Sequence, residues 1–262
     1  MEFENLIFEV SDGIARITLN REDAANAIDL ATARELMQAA IACDEDPSVR
    51  AVRIGARGRM FCAGGDLGAF RGAGDRVPAL LKEITTHLHA AISRFARMRA
   101  PTVAAVNGAA AGAGFSLLCG IDLVIASETA KFTMAYTQVG LAPDGSSTYW
   151  LPRLIGNRRS AELMITNRVL EAREALEWGL VNQVVSPDLV EEEADAWARK
   201  LAAGPTEAYG LVKKLLLTSA ASSLETQMEL ESRAIADAAR TADAREGMAA
   251  FFEKRDPTYN GR

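Results

Sequence analysis

Residues 101–122 read PTVAAVNGAAAGAGFSLLCGID. Residues 102–106 are a short apolar run of strand type. The run breaks at Asn107-Gly108 and passes through small residues alone over 109–114. An apolar, helix-length segment follows over 115–119. A strand that ends in Gly and Ala and leads straight into a helix leaves bare backbone N–H groups at the helix's positive end. No side chain there is large enough to keep a ligand away. Ala113 N–H is read on this basis as one half of an oxyanion hole.

The flanks alternate strands with helices. Residues 3–10 and 14–19 alternate apolar with polar side chains around Asp12-Gly13, the pattern of a β-hairpin. Asp29 is placed to cap a helix with Leu30, Ala33, Met37, Ala40 and Ile41 on one apolar face. A strand over 49–56, a glycine-rich loop over 57–70, a loose charged segment over 71–76 and a long amphipathic helix over 77–98 follow. After the opening stretch come strands at 123–126 and 131–134, a Gly/Pro/Ser loop at 139–147, helices at 161–166 and 172–178, and a strand at 180–185. From Ser186 onward the chain reads as helix. Ser222-x-x-Glu225 and Asp243-x-x-Glu246 have the form of capping boxes.

Strands therefore mix with helices to about residue 200, and helices alone remain. The expectation is an α/β body over 1–200 and a helical C-terminal region over 201–262. Leu211, Leu215, Leu216, Leu224, Met228, Phe251 and Phe252 give that region more apolar surface than it can bury alone. Its own body or a partner subunit is expected to cover it.

With 262 residues, nearly half apolar and a quarter charged, the chain suits a large soluble globular protein. A net charge of −6 argues against nucleic-acid binding, including an RNA-binding role. No basic-then-apolar opening and no membrane-length apolar run are present, so no signal peptide and no membrane partner are expected. Cys43, Cys62 and Cys119 are odd in number, lack metal-ligand spacing and suit a reducing cytoplasm. No metal is expected.

Two loops offer bare backbone after a strand: Ala63-Gly64-Gly65-Asp66 and Gly112-Ala113-Gly114. Two N–H donors converging there would hold one carbonyl oxygen as it gains charge. Ordinary tight turns are the other reading of such glycines. Gly112-x-Gly114 lacks the third glycine of a dinucleotide fingerprint, and neither GxxxxGK[ST] nor GxSxG occurs. His87 and His89 stand two apart on a helix, on opposite flanks, and read as surface or boundary residues rather than metal ligands. Ser116, with no histidine near it in sequence, is a poor nucleophile candidate. Asp144, in LAPDG, is the best acid/base candidate; the competing reading is that it caps the helix beginning near Ser147.

MFCAGGDL (60–67), AAVNGAAAGAGFSLLCGIDLVIAS (104–127), AKFTMAYTQVGLAPDGSSTYWLPRLIG (130–156) and EALEWGLVNQVV (174–185) resemble the crotonase superfamily, the enoyl-CoA hydratases and isomerases. The resemblance continues to EGMAAFFEKRDPTYNGR at the end, effectively the whole chain. It implies a spiral of ββα units with a C-terminal helical region, a homotrimer or dimer of trimers, and an acyl-coenzyme A ligand. Coenzyme A would arrive as part of the substrate, with no permanently bound cofactor. By motif match the oxyanion donors are Gly65 and Ala113 N–H. Ala63, Asp66 and Leu67 would line the coenzyme A and acyl channel, and Ala25 would contact the coenzyme. Phe251 and Lys254 would reach its adenine-phosphate end, often from a neighbouring subunit.

One departure from the family pattern bears on the reaction. Hydratases of this kind hold water with two glutamates, and those positions here are Ser116 and Tyr136. Hydration needs water activated on one side and a proton delivered on the other, which suits paired carboxylates. Moving a double bond needs one base and a held enolate. Asp144 stands where several isomerases of the family place an aspartate. The wording around it is most similar to members that isomerise ring-epoxides of phenylacetyl-coenzyme A. Isomerisation with Asp144 as acid/base is the resulting expectation. Hydration of an unusual substrate, with Tyr136 or Ser116 helping Asp144 hold water, and coenzyme A-thioester binding without catalysis are the alternatives.

Overall fold

The computed structural model describes residues 2–262. Ten strands form: β1 (Leu6–Ser11), β2 (Ile14–Leu19), β3 (Ala51–Ala56), β4 (Met60–Cys62), β5 (Thr102–Val106), β6 (Ala109–Ala111), β7 (Leu123–Ser127), β8 (Lys131–Thr133), β9 (Leu170–Glu171) and β10 (Gln183–Val185). They make a six-stranded sheet, β1-β2-β3-β5-β7-β10, and a four-stranded sheet, β4-β6-β8-β9. Among the described residues only β1–β2 and β8–β9 are antiparallel pairs. From β3 to β8 the chain repeats one move, placing a strand in the large sheet and the next in the small one. These are the expected ββα turns, ending in an all-helical tail.

The helices are α1 (Leu30–Glu45), α2 (Leu67–Ala73), α3 (Val77–Arg97), α4 (Gly112–Cys119), α5 (Ser147–Ile155), α6 (Asn157–Thr166), α7 (Ala172–Glu177), α8 (Val190–Ala202), α9 (Thr206–Ser219), α10 (Leu224–Ala239) and α11 (Ala242–Glu253). β5 is buried along its whole length, as a parallel strand covered on both faces must be. Its alternation sorts the layers: Ala104 and Val106 face the main core, while Val103 and Ala105 face Val190 and Ala194 of α8. In the main core, the rings of Phe115 on α4 and Phe132 on β8 pack with centroids 5.5 Å apart.

Asp29 caps α1 as expected, its carboxylate accepting from Thr32 N–H at 2.8 Å. The buried stripe is rotated from the expected one and carries Thr32, Ala33, Leu36, Ala39, Ala40 and Cys43, with Ile41 exposed. α3 has the stripe its sequence announces, through Ile84, Leu88, Ile92 and Phe95.

Several expectations are corrected. Residues 57–70 are not one loop, because they contain β4 and the start of α2. The charged segment 71–76 is helical, finishing α2 and making a 3-10 turn. The cap of α10 is Ser223, which accepts from Thr226 N–H, not Ser222, whose hydroxyl donates to Thr218 O. The cap of α11 is Thr241, not Asp243. Asp243 is buried and grips the chain end, accepting from Asn260 and Gly261 N–H at 2.6 and 2.8 Å.

Lys213 secures α9 to the body. Its buried ammonium donates to Phe95 O and Ala100 O at 2.8 and 3.0 Å and pairs with Asp122 at 2.7 Å. Beyond it, Leu216, Leu224, Met228, Ile235, Phe251 and Phe252 remain exposed. No helix is long and apolar enough to cross a membrane among the described residues.

Candidate active site

The two bare-backbone loops meet because β4 and β6 pair, with Cys62 opposite Ala110. Just past that pair the main chains touch. Gly64 has φ +101°, and a Cβ on it would lie 3.0 Å from Ala111 O and 3.4 Å from Gly112 Cα. Gly114 packs on Cys62 so closely that a Cβ would sit 2.5 Å from the cysteine's own. Glycine is needed at both places for backbone to reach backbone. α4 begins at Gly112, earlier than the apolar run suggests, so Ala113 N–H lies in its first turn. Such N–H groups have no partner within a helix. Among the described residues neither Ala113 N–H nor Gly65 N–H donates to another protein group.

Both residues line a cavity of about 530 Å³. Ala63, Leu67, Phe70, Leu88, Val139 and Leu141 supply much of its apolar wall, and Tyr136 and Asp144 are among its polar groups. Among its described lining residues Asp144 is the one carboxylic acid. Asp144 does not cap α5 with its side chain. Its backbone oxygen accepts from Ser147 N–H and Oγ, which leaves the carboxylate free for other partners.

Those partners form a chain. Tyr136 Oη donates to Asp144 Oδ1 at 2.6 Å, and Ser116 Oγ lies 2.9 Å from the same tyrosine oxygen. On the other side His89 Nε2 is 3.1 Å from Asp144 Oδ2. Burial pushes the Asp144 carboxyl up, but the hydrogen bonds from His89 and Tyr136 and the charge of His89 outweigh it, and its pKa ends below the usual carboxylate value. Burial, then the Asp144 charge, raises the Tyr136 phenol, so it stays a neutral donor.

The remaining expected positions are spread more widely. Ala25 has φ 51° and accepts from Ala63 N–H at 3.0 Å, which holds its loop against the cavity wall. The Asp66 side chain turns to Arg21 (2.6 Å) and to Ala69 N–H (2.9 Å), capping α2. Phe251 and Lys254 lie at the end of α11, outside the cavity lining of this chain. His89, read from sequence as a surface or boundary residue, is half exposed and also touches the carboxylate. Its position 55 residues from Asp144 carries no local signal. Among the described residues no group of three or more His, Cys, Asp or Glu side chains is placed to hold a metal ion.

Two unpartnered main-chain N–H groups and a single carboxylate lining one largely apolar cavity can enolise a carbonyl compound and return the proton elsewhere. Residues 9–262 match the family model described as enoyl-CoA hydratase/isomerase. The chain is 36% identical to the 1,2-epoxyphenylacetyl-CoA isomerase of Escherichia coli K12, over all of both proteins. It is 36% identical to 4-chlorobenzoyl coenzyme A dehalogenase-2 of an Arthrobacter species, covering 85% of this chain and 81% of that protein. The crystal structure of an enoyl-CoA hydratase from Polaromonas sp. JS666 superposes with a TM-score of 0.93 at 31% identity, covering 97% of this chain and 99% of the other.

Proposed function

The chain belongs to the enoyl-CoA hydratase/isomerase family, and from that membership we propose that it isomerises an acyl-coenzyme A thioester through an enolate, with Asp144 as the single acid/base. The relatives' names span isomerase, hydratase and dehalogenase, so the family alone leaves the reaction open. The observation that carries the proposal is that Asp144 is the one carboxylate among the described lining residues of the cavity that Gly65 and Ala113 also line.

In this reading the thioester oxygen lies between Gly65 N–H and Ala113 N–H. Asp144 removes a proton from the carbon α to the thioester carbonyl, and the two amides hold the enolate oxygen. The protonated Asp144 then returns a proton to a different carbon, and the double bond has moved. Ala63 and Leu67 flank the acyl path, Ala25 supports that wall, and Asp66 holds it through Arg21 and the cap of α2. Phe251 and Lys254 serve the coenzyme end from a neighbouring subunit. The exposed apolar surface of α9–α11 supports a homotrimer or a dimer of trimers.

The test is Asp144→Asn assayed with trans-3-hexenoyl-coenzyme A. Turnover should fall by about 10²–10⁴-fold, the usual weight of a positioned acid/base, with ligand affinity within a few-fold. Full activity in this variant would sink the assignment.

A second reading is hydration. The chain Ser116–Tyr136–Asp144 favours it, because two hydroxyls beside a carboxylate can hold a water. Turnover in ¹⁸O-water separates the two: isomerisation leaves the label out of the product, and hydration brings it in.

A further inference from the structure

We propose that Phe70 is a positioning residue for the Gly65 amide: its ring fixes the aim of that oxyanion donor and keeps water from it. The proposal rests on the reading of Gly65 N–H as a donor to the thioester oxygen, and adds the side chain that holds it to that task.

Two neighbouring glycines have different reasons to be glycine. Gly64 has φ +101°, a backbone conformation that L side chains rarely adopt. Gly65 is not among the residues of positive φ, so the same reason does not apply to it. What forbids a side chain there is the Phe70 ring. A Cβ on Gly65 would lie 2.8 Å from Phe70 Cζ and 3.0 Å from Cε2. Phe70 is itself buried and lines the acyl cavity. To make room for a methyl at 65, the ring would have to leave its place in the cavity wall. The space that a side chain on Gly65 would take is thus filled by an aromatic ring from α2.

The strand edge of Gly65 is fixed as well. Ile28 N–H donates to Gly64 O at 2.7 Å, and Asp66 N–H donates to Ile28 O at 3.1 Å, which makes a parallel bridge between Ile28 and Gly65. The residues on either side of Gly65 turn these groups toward Ile28, so the N–H of Gly65 itself points the opposite way. The ring tip then bears on its Cα, and the peptide cannot rock toward α2. Ring and amide also share one short, tied segment. Phe70 N–H donates to Asp66 O at 3.0 Å, and the Asp66 carboxylate holds Arg21 and the first turn of α2.

The ring meets the glycine tip-first. Cζ and Cε2 are nearest to the Cβ position, with Cε1 at 4.0 Å. The edge of an aromatic ring carries the positive end of its quadrupole, so it does not oppose charge gathering on a nearby oxygen. An apolar ring beside an amide that has no protein partner also denies that place to water. A hydrogen bond to a developing charge strengthens as water leaves.

The experiment is isotope-edited infrared spectroscopy of bound hexanoyl-coenzyme A carrying ¹³C at the carbonyl, a saturated thioester that cannot isomerise. Its Kd is measured beside it, and kcat is measured with trans-3-hexenoyl-coenzyme A. Binding to wild type should lower the carbonyl frequency. Phe70→Ala should bind within about tenfold of wild type yet lose roughly half or more of that shift, with kcat down about tenfold or more, short of the 10²–10³ for a donor lost outright. Phe70→Leu keeps apolar bulk without the ring tip; it should fall between the two and serves if the alanine variant does not fold. A residue that only packed the wall would change Kd or melting temperature and leave the band where it is. Gly65→Ala should lose the shift too, and the double variant Gly65→Ala/Phe70→Ala should turn over no more slowly than the worse single variant, because both changes break one contact. A full wild-type shift in the folded Phe70 variants, or losses that simply add in the double variant, overturns the proposal and leaves the isomerase reading standing. If wild type does not bind the thioester, or binds it without moving the band, the oxyanion reading fails and takes this proposal with it.

Discussion

Tyr136 and Asp144 are joined by a 2.6 Å hydrogen bond in which the phenol donates to the carboxylate. The phenol is steadied from behind by Ser116. A short bond from a neutral donor to a partly buried anion orients the anion and favours its charged form. Ser116 and Tyr136 are a hydroxyl pair that supports one aspartate.

Replacing Tyr136 with Phe keeps the ring and removes this bond. Loss of a hydrogen bond to a charged group is worth about 1.5–3 kcal/mol. Carried into the reaction, that is a fall in kcat of roughly 10–100-fold with a small change in KM, read by steady-state kinetics. An unaltered kcat would mean that Asp144 is held without the tyrosine.

The acid side of the pH profile follows from the depressed pKa of Asp144. Burial raises it, the His89 and Tyr136 hydrogen bonds lower it further, and the carboxylate stays ionised below the ordinary value. Activity should therefore hold level from neutral pH down past about 4, the usual aspartate region. His89→Gln removes a lowering influence, so its acid limb should lie at higher pH. Stability moves the same way: a depressed folded-state pKa stabilises above the unfolded value and is lost as pH falls through the folded one. Melting temperatures of wild type and Asp144→Asn should draw together as pH drops through that window.

Gly64→Ala tests the touching strand ends. The new methyl would sit 3.0 Å from Ala111 O at φ +101°. Strain of this kind costs about 1–3 kcal/mol. Spreading the loops would also misplace Gly65 N–H, and losing one oxyanion donor costs about 10²–10³ in rate. Gly72→Ala is the control, since nothing lies within 4 Å of a Cβ there and the residue is within α2. It should melt at the same temperature as wild type or slightly above, with activity unchanged.

Asp243→Ala tests the anchoring of the chain end. The substitution strands Asn260 and Gly261 N–H, which bond to a buried carboxylate. The cost should be about 2–3 kcal/mol, as for hydrogen bonds to a charged acceptor. A lowered melting temperature and easier proteolysis of residues 254–262 are the expected readouts. A variant as stable as wild type would show the clamp to be dispensable.

Most elements could be read from periodicity. The buried run of β5, the stripe of α3 and the Asp29 cap depend on neighbours within a few residues, and the chain carries that information locally. The small-residue passage 109–114 announced exposed amides for the same reason: what is missing from a side chain is visible without a fold. Where local signals competed, the reading slipped. Ser222 and Ser223 are adjacent candidates for one cap, and the choice belongs to whichever hydroxyl the turn brings to Thr226 N–H. Asp243 has the spacing of a cap, yet its carboxylate went to the chain terminus, which offered it two N–H donors.

Sequence alone determined that backbone amides would be laid bare at two strand ends and that one aspartate would sit in a stiff turn, because glycine, alanine and proline act on the chain where they stand. Only the tertiary structure decided that the two loops touch and line one cavity, that the aspartate's side chain leaves the helix cap to its own backbone oxygen, and that His89 reaches it from α3. Those contacts join residues tens of positions apart, and packing of the sheets, not any local preference, brings them within hydrogen-bond distance.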